Sequence, residues 1–374
     1  MKKIYFPGLN GLRFIGAFVV ILGHIEFLKS LQGLPNLMHV PFYKNTSGHL
    51  GVILFFVLSG FLITYLLLNE LKESSSIQIW KFYMRRVLRI WPLYYFMILI
   101  SIFVIPLLFS FFHFSITKAY TWSEIKYYLF FLPNISKSMG SYINGAVHLW
   151  SIGVEEQFYI LWPLLMLVFR KYTLILLLAI FFGITITPLF LGFLNYRTDL
   201  FSGNELFYNR LSLFIIHFKI NSMAIGGFIA YVVFKKKKWL EVFKLDFIEI
   251  ILFVGTLLLW LSGTVLTQFN DEIYSLLFGI IILNIATKSK PVITLENNFF
   301  TFMGKISYGL YVYHWIVILT IIEVLKKSYS DFKGDIVEMN IILYATSITL
   351  TIVISYLSFH YLEKPFLQWK TKFD

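Results

Sequence analysis

Cysteine is absent from all 374 residues. That excludes disulfides, thiolate metal sites and a cysteine nucleophile, and leaves redox compartment open. Charge is scarce: Asp, Glu, Lys and Arg make up 14% of the chain, against about 25% in soluble domains. Several catalytic signatures are missing too. No His is followed five residues later by Asp, so the H-x4-D acyltransferase arrangement is absent, as are a GxSxG elbow, a P-loop and an HExxH helix.

The chain is apolar instead: 58% hydrophobic, 20% aromatic, with a mean hydropathy of +0.75. Too few polar residues exist to cover a globule in water, and enough apolar ones exist to cover a bundle in lipid. The expected fold class is therefore all-α, a polytopic transmembrane helical bundle of about ten spans. A net charge of +12 would point to nucleic acid in a soluble protein. In a membrane protein, cytoplasmic loops rich in Lys and Arg explain it. Lys2 and Lys3 before an apolar run look like a signal peptide, but Arg13 and His24 interrupt that run and no small-x-small cleavage site follows, so it reads as a retained first span.

At about 20 apolar residues per span, the spans fall near 11–28, 51–70, 91–112, 149–169, 172–193, 212–234, 247–266, 272–287, 306–325 and 339–360. The polar break between the seventh and eighth is short. Starting inside, the predicted cytoplasmic segments hold 20 Lys and Arg, among them Lys2, Lys3 and the run Lys235 to Lys238, and the outer ones hold 11, among them Lys29, Lys118, Lys137 and Lys333. This bias places both termini in the cytoplasm. The longest outer loop, 113–148, is aromatic and polar and is expected along the interface. No internal repeat is visible, and residues 1–374 read as one transmembrane unit.

Four polar groups sit where polarity is costly, about 2.5 kcal/mol or more per charge at the bilayer centre. Arg13 and His24 are eleven residues apart, close to three turns, so both point the same way, Arg13 near the inner end and His24 near the outer. Arg13 either snorkels to headgroups or serves a site; His24 either satisfies a neighbouring helix or acts as a base. Arg85, Arg86 and Arg89 lie at the inner entrance of the third span. They read either as positive-inside charge or as a phosphate fork of Arg89 with Arg85 or Arg86, since residues three and four apart share a face. Glu155 and Glu156 enter the fourth span from outside; a short Glu cannot snorkel, so the pair reads as functional. Ser151 shares a face with Glu155, and His148 lies one turn earlier. His314, in the ninth span, reads as a buried structural histidine, and Ser59-Gly60 in the second as close helix packing. Ser59, Ser151, His148 and His314 are the secondary candidates for substrate contact. With arginines inside and His24, Glu155 and Glu156 in the outer half, the pattern suits a donor with an anionic head and a reactive end delivered outward, His24 taking a hydroxyl proton with a carboxylate orienting it.

Taken together, Arg13-x10-His24, FFVLSGFLIT at 55–64, RRVLR at 85–89, WSIGVEEQFYILWP at 150–163, GKISYGLYVYHW at 304–315 and EKPF at 363–366 resemble, in order and across nearly the whole chain, the acyltransferase-3 family of integral-membrane O-acyltransferases. That resemblance implies transfer of an acyl group, most often acetyl, from acyl-coenzyme A to a hydroxyl, usually of a surface polysaccharide, lipopolysaccharide or peptidoglycan, in the cytoplasmic membrane of a bacterium. It links Arg86 and Arg89 to the coenzyme, and Arg13 and His24 to catalysis, with His24 either activating the acceptor hydroxyl as general base or first receiving the acyl group itself as a transient carrier, and without a metal. Some relatives carry a fused extracytoplasmic SGNH esterase-like domain; with nine residues after Pro365, this chain is expected to lack it, so any SGNH-dependent second step needs a separate esterase-like partner, or the membrane domain acts directly on the acceptor; a homo-oligomer is the other association left open. The alternative is a polytopic transporter or flippase for a glycolipid or polysaccharide intermediate, or a scaffold. A tunnel joining Arg89 to His24 favours the enzyme, and a mid-bilayer cavity between two pseudo-symmetric halves favours the transporter.

Overall fold

The structure, a computed structural model, describes residues 4–114, 119–328 and 336–373. Lys2, Lys3, Lys118 and Lys333 of the topology count lie outside the described residues. Helices α1 (Leu9–Leu31) and α2 (Ser47–Ser74) come first, then α3 (Ile79–Leu99), which runs through a π-helical turn at Ile100–Val104 into α4 (Ile105–Phe111). Short helices α5 (Trp122–Leu129) and α6 (Pro133–Ser138) precede α7 (Trp150–Val168), α8 (Thr173–Thr198), α9 (Glu205–His217) and α10 (Ile220–Phe234). The chain closes with α11 (Asp246–Ser262), α12 (Asn270–Thr287), α13 (Asn298–Lys305), α14 (Ser307–Ser328), α15 (Ile336–Ser358) and α16 (Lys364–Lys370).

All-helical architecture is as expected, and among the described residues eight helical segments are long and apolar enough to cross a membrane. The difference from ten lies at α11 and α12, where the seventh and eighth spans are expected. They have 17 and 18 residues, about 26–27 Å of helix against a hydrocarbon core of about 30 Å. Each also opens on acids, Asp246 and Glu249 in one, Asp271 and Glu272 in the other. Because they come as a consecutive pair, eight and ten spans alike return EKPF to the side on which the chain starts.

Two boundaries differ from the hydropathy reading for physical reasons. The third helix begins at Ile79, twelve residues before the apolar run, because its first three turns are amphipathic; Arg85, Arg86 and Arg89 therefore stand within the helix. The sixth span is broken between α9 and α10, where Phe218 leaves helical geometry (φ −83°, ψ 69°) and Lys219 turns to Asp271, Nζ 2.7 Å from its carboxylate.

Burial ranks the helices. The most apolar windows of α2 and α14 are 72% and 78% buried, against 6% for α8, so α2 and α14 form the centre and α8 faces lipid. α2 packs against α1, α7, α10 and α12, with Leu50, Ile53, Phe56, Val57 and Phe61 in the core. The close approach of α2 and α10 needs Gly60 and Gly226: a Cβ at Gly60 would collide with the main chain of Met223, and one at Gly226 with that of Val57 and Phe61. Such small-residue seams replace the hydrophobic effect as the source of helix association in lipid.

At the outer end of α1, Lys29 is not a solvated loop charge. It is fully buried and donates to Glu26 Oε1 (2.8 Å) and Asn340 Oδ1 (2.7 Å), while Glu26 also accepts from Tyr344 (2.7 Å) and the Leu37 N–H (2.5 Å). The network ties α1 to α15 and to the following loop. Lys29→Met would strand a buried carboxylate, a change that costs about 3–5 kcal/mol in comparable pairs. The expected outcome is a lower Tm in detergent, partly restored in the Glu26→Gln/Lys29→Met double variant; an unchanged Tm would show that the network is not stabilising.

Candidate active site

Two cavities are lined by Arg13, His24, Ser59, Arg86, Arg89, His148, Ser151 and Glu155, whereas Arg85, Glu156 and His314 line neither. The inner one, about 110 Å³, is lined by Arg13 of α1, Ser59 of α2, Arg86 and Arg89 of α3, Ser151, Glu155 and Tyr159 of α7, and Tyr308 and Tyr311 of α14. Three guanidinium groups converge on it with one carboxylate. Among the described residues Arg13 has only Asn10 Oδ1, at 2.9 Å, as a hydrogen-bond partner. Arg86 lies over the rings of Phe82 and Tyr159, 6.0 and 5.9 Å from their centroids, and its Nε has no partner. Among the described residues Arg89 makes no hydrogen bond or ion pair. Glu155 is held by neutral donors: Ser59 donates to its Oε1 at 2.9 Å, and Tyr159 donates to Ser59 Oγ at 3.0 Å. Cations without a matching number of anions are costly inside a membrane bundle, so the cluster is suited to an added anion. Planar guanidinium groups suit phosphate oxygens.

Arg85 points elsewhere. It donates to the carbonyl of Phe373 at 2.8 Å and lies 3.8 Å from Glu70, which ties the third helix to the C-terminal segment. Of the two forks open in the sequence, the cavity holds Arg86 with Arg89. Glu156 turns away from Glu155, as adjacent helix positions must, and accepts from the Trp91 indole at 3.1 Å.

The outer cavity, about 290 Å³, is lined by His24 of α1, His148, Trp150 and Trp315, with Tyr43, Lys44, His49 and Lys137 among its other walls. Its size is near the lower bound for small-ligand pockets. His24 Nδ1 lies 2.7 Å from His314 Nε2, and His314 Nδ1 lies 2.6 Å from the carbonyl oxygen of Tyr311. A carbonyl only accepts, so His314 Nδ1 carries the hydrogen and its Nε2 is the lone pair. His24 Nδ1–H must then donate to it, which leaves His24 Nε2 as an unprotonated acceptor. That nitrogen faces Gly48, where a Cβ would sit 3.6 Å away; the missing side chain keeps the approach open. Trp315 closes the other side, edge to face with His24 at 4.9 Å. His148 donates from Nε2 to the Val312 carbonyl at 2.9 Å, and its buried Nδ1 is unpartnered. Among the described residues no group of three or more His, Asp or Glu is arranged to hold a metal.

Between the cavities stands a hydrogen-bonded layer. Tyr311 donates to the His148 carbonyl at 2.8 Å and lies 2.6 Å from Ser151 Oγ. Among the described residues Arg89 and His24 thus line separate cavities. One expectation is corrected here. Glu155 and Glu156 sit at the depth of the arginines, because Trp150, Ser151 and the layer fill the first turn of α7, and neither is hydrogen-bonded to His24. His314 is buried and hydrogen-bonded, as the sequence leads one to expect, and its side-chain partner is His24. Reasoning from sequence also missed Tyr311 and Lys137; Tyr311, one turn before His314 in GLYVYHW, carried the only local signal.

The sequence profile of a family described as acyltransferase domain, acyltransferase 3, matches residues 6–360. Curated relatives include the peptidoglycan O-acetyltransferase OatA of Listeria monocytogenes, 28% identical over 97% of this chain and 56% of its own length. A putative O-acetyltransferase of Staphylococcus aureus is 27% identical over 100% of this chain and 60% of its own. The putative peptidoglycan O-acetyltransferase YrhL of Bacillus subtilis is 32% identical over 44% of this chain and 24% of its own. The chain therefore spans 56% and 60% of the length of the first two. No solved structure matches. The match covers both cavities and every motif that points to them, and the chain belongs to the acyltransferase 3 family of multi-pass membrane proteins.

Proposed function

We propose that the chain transfers an acyl group, acetyl as in the names of its relatives, from acyl-coenzyme A to a hydroxyl of a cell-envelope glycan of the peptidoglycan type. The observation that carries this reading is the inner cavity, in which Arg13, Arg86 and Arg89 meet a single carboxylate. With both termini and the arginine-bearing end of the third helix in the cytoplasm, that cavity opens to the coenzyme and the histidine cavity opens outward.

Arg86 and Arg89 hold coenzyme phosphate, and Arg13 steadies the pantetheine arm. The Ser151–Tyr311 layer parts to admit the thioester to His24. His24 Nε2 removes the acceptor hydroxyl proton as the oxygen attacks the thioester carbonyl. The tetrahedral intermediate collapses to the ester, and the departing coenzyme thiolate takes the proton back from His24. His314 holds the imidazole in the one tautomer with a free Nε2. Trp150 and Trp315 offer ring faces to a sugar. Glu155, fixed by Ser59 and Tyr159, balances part of the arginine charge when the coenzyme is absent.

Mass spectrometry of envelope glycans from cells with and without the gene tests the reading. The expected result is an alkali-labile acetyl ester found only when the gene is present. Identical glycans in both strains would contradict it.

A further inference from the structure

The outer cavity carries cations without carboxylates. Lys44 and Lys137 line it, and no Asp or Glu does. Lys137 is the telling one. It sits on α6, half-buried, with Nζ 4.4 Å over the Trp150 ring, and among the described residues it makes no ion pair or hydrogen bond. Burial pushes its ammonium down to about 8, with no acid to offset the desolvation. A contact with an aromatic face offsets part of that cost, by about 0.5–2 kcal/mol in general. Asp271, which reaches the cavity wall through His49, is engaged by Lys219 at 2.7 Å and His49 at 2.8 Å. His217, edge-on to Trp150 at 5.0 Å, adds no negative charge.

We propose that the outer cavity takes an acceptor bearing an anionic group, carboxylate or phosphate, close to the hydroxyl that is acylated, and that Lys137 reads that group. This rests on the assignment of the outer cavity to the acceptor. The positions of the groups give the proposal a second consequence. Lys137 and His24 line the same cavity, and a bare ammonium opposes formation of the imidazolium in the transfer step. An anion seated on Lys137 cancels that repulsion. The same group therefore raises affinity and eases the proton transfer to His24 Nε2. Trp150, which lines the cavity next to Lys137, presents its ring to one face of the sugar while the ammonium meets its substituent.

The test is calorimetric binding to the full chain in detergent with three sugars on one ring: N-acetylglucosamine, N-acetylmuramic acid, which adds a carboxylate, and N-acetylglucosamine 6-phosphate. Either or both anionic sugars should bind roughly tenfold or more tightly than the neutral one, the scale of one charge-assisted hydrogen bond. Preference for one of them identifies the source of the anion. Lys137→Met should erase the preference, and Lys137→Arg, which keeps the cation, should retain it. Equal binding of all three sugars by the unaltered protein, or a preference that survives in Lys137→Met, would overturn the proposal. The readout is independent of turnover. A protein that prefers the anionic sugars yet transfers no acyl group would refute the proposed reaction and leave this site standing; one that transfers acyl groups without the preference would do the reverse.

Discussion

His24→Ala is expected to lower acyl transfer about 10²–10⁴-fold, the range lost when a general base is removed, while the protein still inserts and elutes as a single species in detergent. One nitrogen decides the outcome. In the chain from the Tyr311 carbonyl through His314 to His24, every proton position is fixed by the carbonyl at its end, and the one lone pair left over is His24 Nε2. Alanine removes it and leaves His314 Nε2 without a donor, a cost to local packing but not to the helix. Substitutions at His314 should separate orientation from chemistry. His314→Leu, which cannot accept from His24, should lower turnover roughly tenfold with little change in acceptor KM, the scale of one lost hydrogen bond. His314→Gln, whose amide oxygen can accept, should recover much of it. Turnover assayed in proteoliposomes with labelled acetyl-coenzyme A reads all three. Activity of His24→Ala within a few-fold of the unaltered protein would remove His24 from the mechanism.

Arg89→Ala should weaken coenzyme A binding about 10–100-fold, as expected for loss of hydrogen bonds to a charged group, and should do so with an opposite effect on the empty protein. Arg13, Arg86 and Arg89 face one cavity that contains a single carboxylate, Glu155. Without an anion they repel one another, so removing one should leave the Tm of the ligand-free protein unchanged or raised. Bound coenzyme stabilises the folded state in proportion to its affinity, so the rise in Tm on adding coenzyme A should largely vanish in the variant. Arg89→Lys should not restore it fully, because a point-charge ammonium lacks the planar fork. A purely structural arginine predicts the reverse pattern: a lower Tm in the empty protein and an unchanged shift on adding coenzyme. Thermal unfolding with and without coenzyme A distinguishes the two.

The sequence was most informative where lipid makes polarity expensive. Arg13, Arg86, Arg89 and Glu155 stand out in apolar spans, and they line one cavity. His24 stands out in the same way and lines the other. What the sequence did not carry is pairing across the bundle. The partner of His24 is 290 residues away, and neither its identity nor the tautomer it enforces is visible in any local pattern. Depth was misjudged for Glu155 and Glu156 because hydropathy locates a span but not the level at which a neighbouring helix begins; the third helix starts three turns before its apolar run. Lys29 and Lys137 were counted as outer-loop charge because counting cannot distinguish a solvated lysine from one buried on Glu26 or held against Trp150. The break at Lys219 was invisible for a similar reason, since its cause, Asp271, is on another helix.

The central claim is that a thioester is consumed as an ester is made. The absence of cysteine makes this unusually direct to test, because a thiol reagent sees no background from the protein. Purified chain in proteoliposomes, given acetyl-coenzyme A and a peptidoglycan-type glycan, should release one free coenzyme A thiol for each acetyl ester formed on the glycan, and neither without the other. Ester formation without thiol release, or no glycan-dependent thiol at all, would contradict the account.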